Sequence, residues 1–170
     1  SNSLALKRKY CILKSAGKLI ECAQALNDYL QQNYSDTAAW SELSKLHQEL
    51  GDFKSAAYCL EQVLLSTSSN VAQIHVELAE CYATASSGSL LEARKHMAAA
   101  LELEPNNVRA QFGLVSVANA YLNTKNPDEF EADVAVELVK YGAEELLKTY
   151  KSTSMFPCVR KLMKEYTTAA

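Results

Sequence analysis

One segment of this chain recurs along its length. With Gly17-Lys18-Leu19 laid over Gly51-Asp52-Phe53, Cys22 falls on Ala56, Ala23 on Ala57, Leu26 on Leu60 and Leu30 on Leu64, all at an offset of 34 residues. A third copy sets Gly88 on Gly51, Leu90 on Phe53, Ala93 on Ala56, Met97 on Leu60 and Leu101 on Leu64, now at an offset of 37. A unit of this length cannot bury an apolar face alone and must stack on its neighbours, which is the logic of helix-turn-helix arrays.

The chemistry inside each copy agrees. Gly17, Gly51 and Gly88 stand where two antiparallel helices need a turn, and glycine enters a left-handed cap without steric cost. Small residues at 22, 56 and 93 allow close helix approach, and Leu26, Leu60 and Met97 follow one helical turn later on the same face. Trp40, Leu43 and His47, then His75, Leu78 and Tyr82, mark a single face of each preceding helix at i, i+3, i+7. Ser35-Asp36-Thr37 and Asn107 offer N-caps, and Pro105 closes the third copy.

These features predict an all-α fold, a superhelix of antiparallel helix pairs at about 4–33, 37–67, 72–105 and 108–150, with a C-terminal capping helix at about 156–168, over a single domain from 1 to 170. The edges of the array are degenerate. Leu4 to Lys14 lacks the aromatic-leucine pattern, and the fourth copy has Phe112, Leu114 and Tyr121 followed by an Asn-Thr-Lys-Asn-Pro loop. Pro157 suits the start of the closing helix. The expected packing residues are Gly17, Leu26, Trp40, Leu43, Gly51, Ala56, Leu60, Leu78, Tyr82, Gly88, Ala93, Met97, Leu101 and Leu114.

Composition narrows the function. A net charge of -3 from 17 basic and 20 acidic residues provides no single-signed field, which argues against nucleic acid. No run approaches the roughly 20 apolar residues of a membrane span, and no signal peptide is evident. The five cysteines are scattered without a Cys-x-x-Cys pair and read as reduced thiols of a cytosolic protein, Cys22 and Cys59 as small core hydrophobes. Asn33-Tyr34-Ser35 fits a glycosylation sequon, which matters only in a secreted chain. Ser1-Asn2 fits a cloning remnant, in which case the natural chain continues upstream. His47, His75 and His96 lack metal-ligand spacing, and no phosphate loop or nucleophile elbow is visible. No catalytic residue, cofactor or metal is expected, and the chain reads as a non-enzyme.

The 34-residue period, with Trp40, Leu43, Gly51, Ala56, Leu60 and Pro105 in their places, resembles the tetratricopeptide repeat (TPR). Beyond the generic repeat, the segments Gly17–Leu30, Ala38–Leu46, Ala56–Val63 and Ala93–Leu114 resemble the family of subunit 2 of the endoplasmic reticulum membrane protein complex, across roughly residues 7 to 122. The resemblance implies a non-catalytic scaffold, peripheral on the cytosolic face of the endoplasmic reticulum membrane, that supports membrane-protein insertion. It would bind cytosolic segments of membrane-embedded subunits and a peripheral subunit.

In such a fold the first helices line a concave face. By helix phase the outward residues are Ser41, Lys45 and Gln48, then Gln73, Val76 and Glu80, then Arg109, Phe112, Ser116 and Asn119. Phe112 is the large apolar member, with packing against the capping helix as the other reading. The alternative function is a TPR co-chaperone adaptor that grips acidic chaperone tails through a carboxylate clamp. That clamp needs Asn at the ninth position of consecutive first helices and basic residues in a later one; the corresponding positions read Cys11, Lys45 and Glu80, and only Arg109 is suitably basic.

Overall fold

The computed structural model describes residues 2–66 and 71–169, with nine α-helices and no strand among them. They are α1 Asn2–Ser15, α2 Leu19–Gln32, α3 Thr37–Glu49, α4 Phe53–Ser66, α5 Ala72–Ala85, α6 Leu90–Leu103, α7 Val108–Leu122, α8 Glu129–Tyr150 and α9 Phe156–Ala169. Where the sequence reading takes one domain, contacts divide the chain into two compact units, Ser1–Asn70 and Val71–Ala170. The expected end of the second pair at residue 67 lies outside the described residues, as does Ser1.

The first unit holds α1 to α4, each packed on the next. Gly17 and Gly51 adopt φ of 71° and 77°. Behind each, two amides turn back onto the helix just ended: Gly17 to the Lys14 carbonyl and Lys18 to that of Leu13, both at 3.0 Å, then Gly51 to Gln48 at 3.0 Å and Asp52 to His47 at 2.8 Å. This paired reversal satisfies carbonyls that the helix end would otherwise orphan, and it requires the left-handed residue between them. Cys22, Leu26 and Leu30 of α2, Trp40 and Leu43 of α3, and Ala56 and Leu60 of α4 are all buried.

The second unit holds α5 to α9, again with successive helices packed together. One core cluster joins α5, α6 and α7 through Val76, Ala79, Ala93, Met97 and Leu114, with Tyr82 and Leu101 partly buried against it. A second joins α7, α8 and α9 through Val115, Ala118, Val139, Leu146 and Met163, so α9 closes the end of this unit. Leu78 is fully buried.

Gly88 is a correction to the sequence reading. The α5–α6 connection is longer than those of the first two pairs: Ser86 is extended and a 3-10 turn over Ser87–Ser89 leads into α6. Among the described residues positive φ is confined to Gly17 and Gly51, and a Cβ on Gly88 would meet only Ser86 Oγ at 3.8 Å. The turn therefore does not require glycine there. Glycine matters instead inside helices, where Gly113 sits over Met97 and Gly142 over Val115, so closely that a Cβ on Gly142 would collide with Val115 Cγ2.

Candidate protein-interaction site

Helices α3, α7 and α8 begin on a side-chain cap. Asp36 Oδ1 accepts from the Ala39 amide at 3.1 Å, Asn107 Oδ1 from Ala110 at 3.0 Å and Asp128 Oδ1 from Glu131 at 3.1 Å. Asp36 does more than cap, because its Oδ2 also accepts from the Tyr29 hydroxyl at 2.7 Å and lies 2.8 Å from Lys7 Nζ. The Lys7 ammonium first, with Tyr29 and the Ala39 amide behind it, holds the Asp36 carboxyl below its usual value.

The first-helix residues expected to face partners are placed differently from one another. Lys45, Gln73, Arg109 and Ser116 are exposed. Ser41 and Gln48 are half-buried and tied down locally, Ser41 Oγ donating to the Thr37 carbonyl at 3.0 Å and Gln48 Nε2 to Ser44 Oγ at 3.2 Å. Arg109 and Glu80 bond to one another through two contacts, at 2.7 Å from Nε and 2.5 Å from Nη2. A bidentate guanidinium-carboxylate pair occupies the one basic group available to a carboxylate clamp.

Val76 and Phe112 do not behave as outward residues. Val76 is fully buried in the α5–α6–α7 cluster, because helix phase alone does not reveal that α5 is covered on more than one side. Phe112 is half-buried, edge-on to Tyr150 with centroids 6.1 Å apart, so its packing onto the α7–α8–α9 cluster replaces the partner-facing assignment. Asn119 is half-buried too, and its Oδ1 is covered without a hydrogen-bond partner among the described residues.

A further concave feature lies in the first unit. A groove of about 690 Å³ runs between α2 and α4 with Trp40 of α3 in its floor. Tyr34 and Tyr58 stand edge-on to Trp40, centroids 5.4 and 6.0 Å away at 79° and 80°, yet remain 56% and 52% exposed. Trp40 Nε1 donates to the Tyr34 carbonyl at 2.8 Å, and the Tyr34 hydroxyl bonds Gln62, which fixes the loop that carries one wall. Asn27, Gln31 and Lys54 line the rim and make no hydrogen bond or ion pair among the described residues. The sequence analysis missed these residues. The readable signal was Tyr58, an aromatic off the apolar stripe of its helix, where the repeat calls for a polar residue.

No cluster of three or more His, Cys, Asp or Glu side chains fit to hold a metal occurs among the described residues. The described cysteines are free thiols. Cys22, Cys59 and Cys81 are buried, and burial pushes the Cys81 thiol up to about 11, far from reactivity at neutral pH. No described helix is long and apolar enough to cross a membrane.

Paired helices with these reversals, caps and small-large seams define the class of tetratricopeptide-repeat proteins. Solved structures agree on the fold: the MamA protein superposes with a TM-score of 0.64 at 13% identity, covering 98% of this chain and 91% of that one. A tetratricopeptide repeat protein from Parabacteroides merdae gives 0.61 at 15%, covering 99% and 62%. Within that class the chain belongs to the family described as the EMC2 TPR-like repeat domain, which matches residues 2–102. The ER membrane protein complex subunit 2-A of Xenopus laevis is 34% identical over 153 residues, 89% of this chain and 51% of that protein. The chain thus spans about half the length of the curated relatives it matches.

Proposed function

We propose that this chain is a non-catalytic TPR scaffold of an ER membrane protein complex, peripheral on the cytosolic side, and that it supports membrane-protein insertion by holding other subunits in place. The observation that carries the reading is the family match over residues 2–102. Its partners in this reading are cytosolic segments of membrane-embedded subunits and a peripheral subunit. The exposed first-helix residues Lys45, Gln73 and Ser116 supply polar contacts, and none of them needs to leave a buried position to do so. The role is geometric: within each unit the packed helices present side chains at fixed spacing, which lowers the ordering cost of a segment captured there.

The test is affinity capture with the purified chain from detergent-solubilised membranes and from cytosol. Recovery of several integral membrane subunits of one complex is the expected result. Recovery of heat-shock chaperones through their C-terminal tails instead would overturn the scaffold reading in favour of an adaptor.

A further inference from the structure

We infer that the outer face of α1 rests on an anionic phospholipid surface, with Arg8 and Lys9 at the headgroups and Leu4 and Ile12 reaching the boundary with the acyl chains. This inference concerns α1 alone and does not rest on the scaffold reading, because its test uses lipid vesicles with no other protein present.

Charge sets α1 apart from a chain whose net charge is -3. Its 14 residues include Lys7, Arg8, Lys9 and Lys14 and no Asp or Glu. Two of the four cations hold α1 to its own unit: Lys7 lies 2.8 Å from the Asp36 carboxylate, and Lys14 pairs with Glu42. Arg8 and Lys9 are left over. Both are exposed, and neither side chain has a hydrogen bond or ion pair among the described residues.

Helix geometry sets these two cations among apolar side chains. Leu4, Arg8 and Ile12 form one row along α1, each a turn beyond the last, and Ala5, Lys9 and Leu13 form the adjacent row. Leu4 is 64% exposed and Ile12 67%. The shallow hollow on this face is lined by Ala5, Arg8, Lys9, Ile12 and Leu13, all from α1 and with no carboxylate among them.

That mixture identifies the occupant. The face is the outside of a single helix, so it has no second wall to grip a side chain or to pair with a strand. Leu4 and Ile12 stand roughly 12 Å apart along the axis, and both can be covered at once by an extended surface. Nucleic acid would meet the two cations but leave both aliphatic side chains in water. The boundary of an anionic bilayer offers phosphate and hydrocarbon to the same helix, and the long stems of Arg8 and Lys9 let their charged ends stay at the headgroups. Two cations and two aliphatic side chains make a reversible, salt-sensitive contact rather than a permanent anchor.

The experiment is flotation of the purified full chain, at low salt, with vesicles of phosphatidylcholine alone and with vesicles containing about one-third phosphatidylserine. The expected outcome is flotation with the anionic vesicles only, and release as salt is raised. Arg8→Glu together with Lys9→Glu should weaken lipid binding roughly tenfold or more, and Ile12→Ser roughly threefold. All three positions are exposed, so the thermal midpoint should not move. Arg160→Glu together with Lys161→Glu makes the same change in net charge on exposed residues of α9 and should leave flotation unaltered. The proposal is overturned if the chain ignores anionic vesicles, if it floats equally with neutral ones, or if the α9 substitutions weaken binding as much as those in α1. It is also overturned if sedimentation shows a dimer that Ile12→Ser dissociates, which would assign the face to a second copy of the chain.

Discussion

Helices α3 and α7 begin alike and part company at their fourth residue. Both start on a side chain that accepts from the amide three residues on, Asp36 from Ala39 and Asn107 from Ala110. The fourth residue is Trp40 in one and Gln111 in the other, and each sends a nitrogen back six residues to a loop carbonyl, Tyr34 at 2.8 Å and Pro105 at 3.0 Å. The frame is the same and the filling differs. Around Trp40 the first unit keeps an aromatic groove of about 690 Å³, while the corresponding hollow beside Gln111 is about 150 Å³, narrowed where Gly142 lets α8 settle onto Val115. One repeat template thus carries two tasks: the N-terminal copy leaves a surface open, and the C-terminal copy invests the same register in closing helices together.

That contrast yields predictions of descending size. Trp40→Ala should cost about 3–5 kcal/mol, since it removes the largest side chain of the chain's first unit from a buried seam. Gln111→Ala should cost only about 1 kcal/mol, one net hydrogen bond, because its Oε1 is unsatisfied already. Urea denaturation of the two variants checks the difference, and equal losses would break the comparison.

Gly142→Ala should destabilise by about 1–2 kcal/mol: overpacking against the stiff Val115 costs roughly 1–3 kcal/mol, and the helix gains back about 0.5–1 kcal/mol. Val115→Ala in the same chain should recover most of that loss, which a double-mutant cycle reads directly.

The caps respond differently to acid. Asp36 has its proton affinity lowered chiefly by Lys7, so the unfolded chain takes up a proton at a higher pH than the folded one. Its contribution is fully present above the ordinary value of 3.8 and is lost as pH falls through the lower folded value. Asn107 does not titrate. Hydrogen exchange followed peptide by peptide from pH 6 to pH 3 should show α2 and α3 losing protection more than α7, and Asp36→Asn should reduce the difference. Smallest of all, Arg109→Gln should change stability by at most about 1 kcal/mol, since its bond to Glu80 is half in solvent. A larger loss in thermal midpoint would mean that this pair organises α5 and α7.

The repeat made the helical hairpins legible, because a period of 34 with glycine at the turns leaves little other way to bury the leucines. Local capping chemistry was equally readable, at Asp36 and Asn107. What helix phase did not reveal is which flank of a helix its neighbours cover. Val76 lies off the main stripe of α5 yet is enclosed by α6 and α7, and Phe112 turns to Tyr150 because the long α8 brings that ring back beside it. The groove was hidden for a related reason. Its walls come from a loop tyrosine and a tyrosine on the outward flank of α4, residues that no apolar periodicity picks out.

Hydroxyl-radical footprinting of tyrosines, on the free chain and on the chain assembled into solubilised ER membrane protein complex lacking its own copy, tests the division of labour most directly. Tyr34, Tyr58 and, in the second unit, Tyr141 are similarly exposed at 56%, 52% and 58%, so each can report and Tyr141 serves as the internal reference. The account predicts that assembly protects Tyr34 and Tyr58 and leaves Tyr141 reactive. Protection of Tyr141 with Tyr34 and Tyr58 unchanged would contradict it.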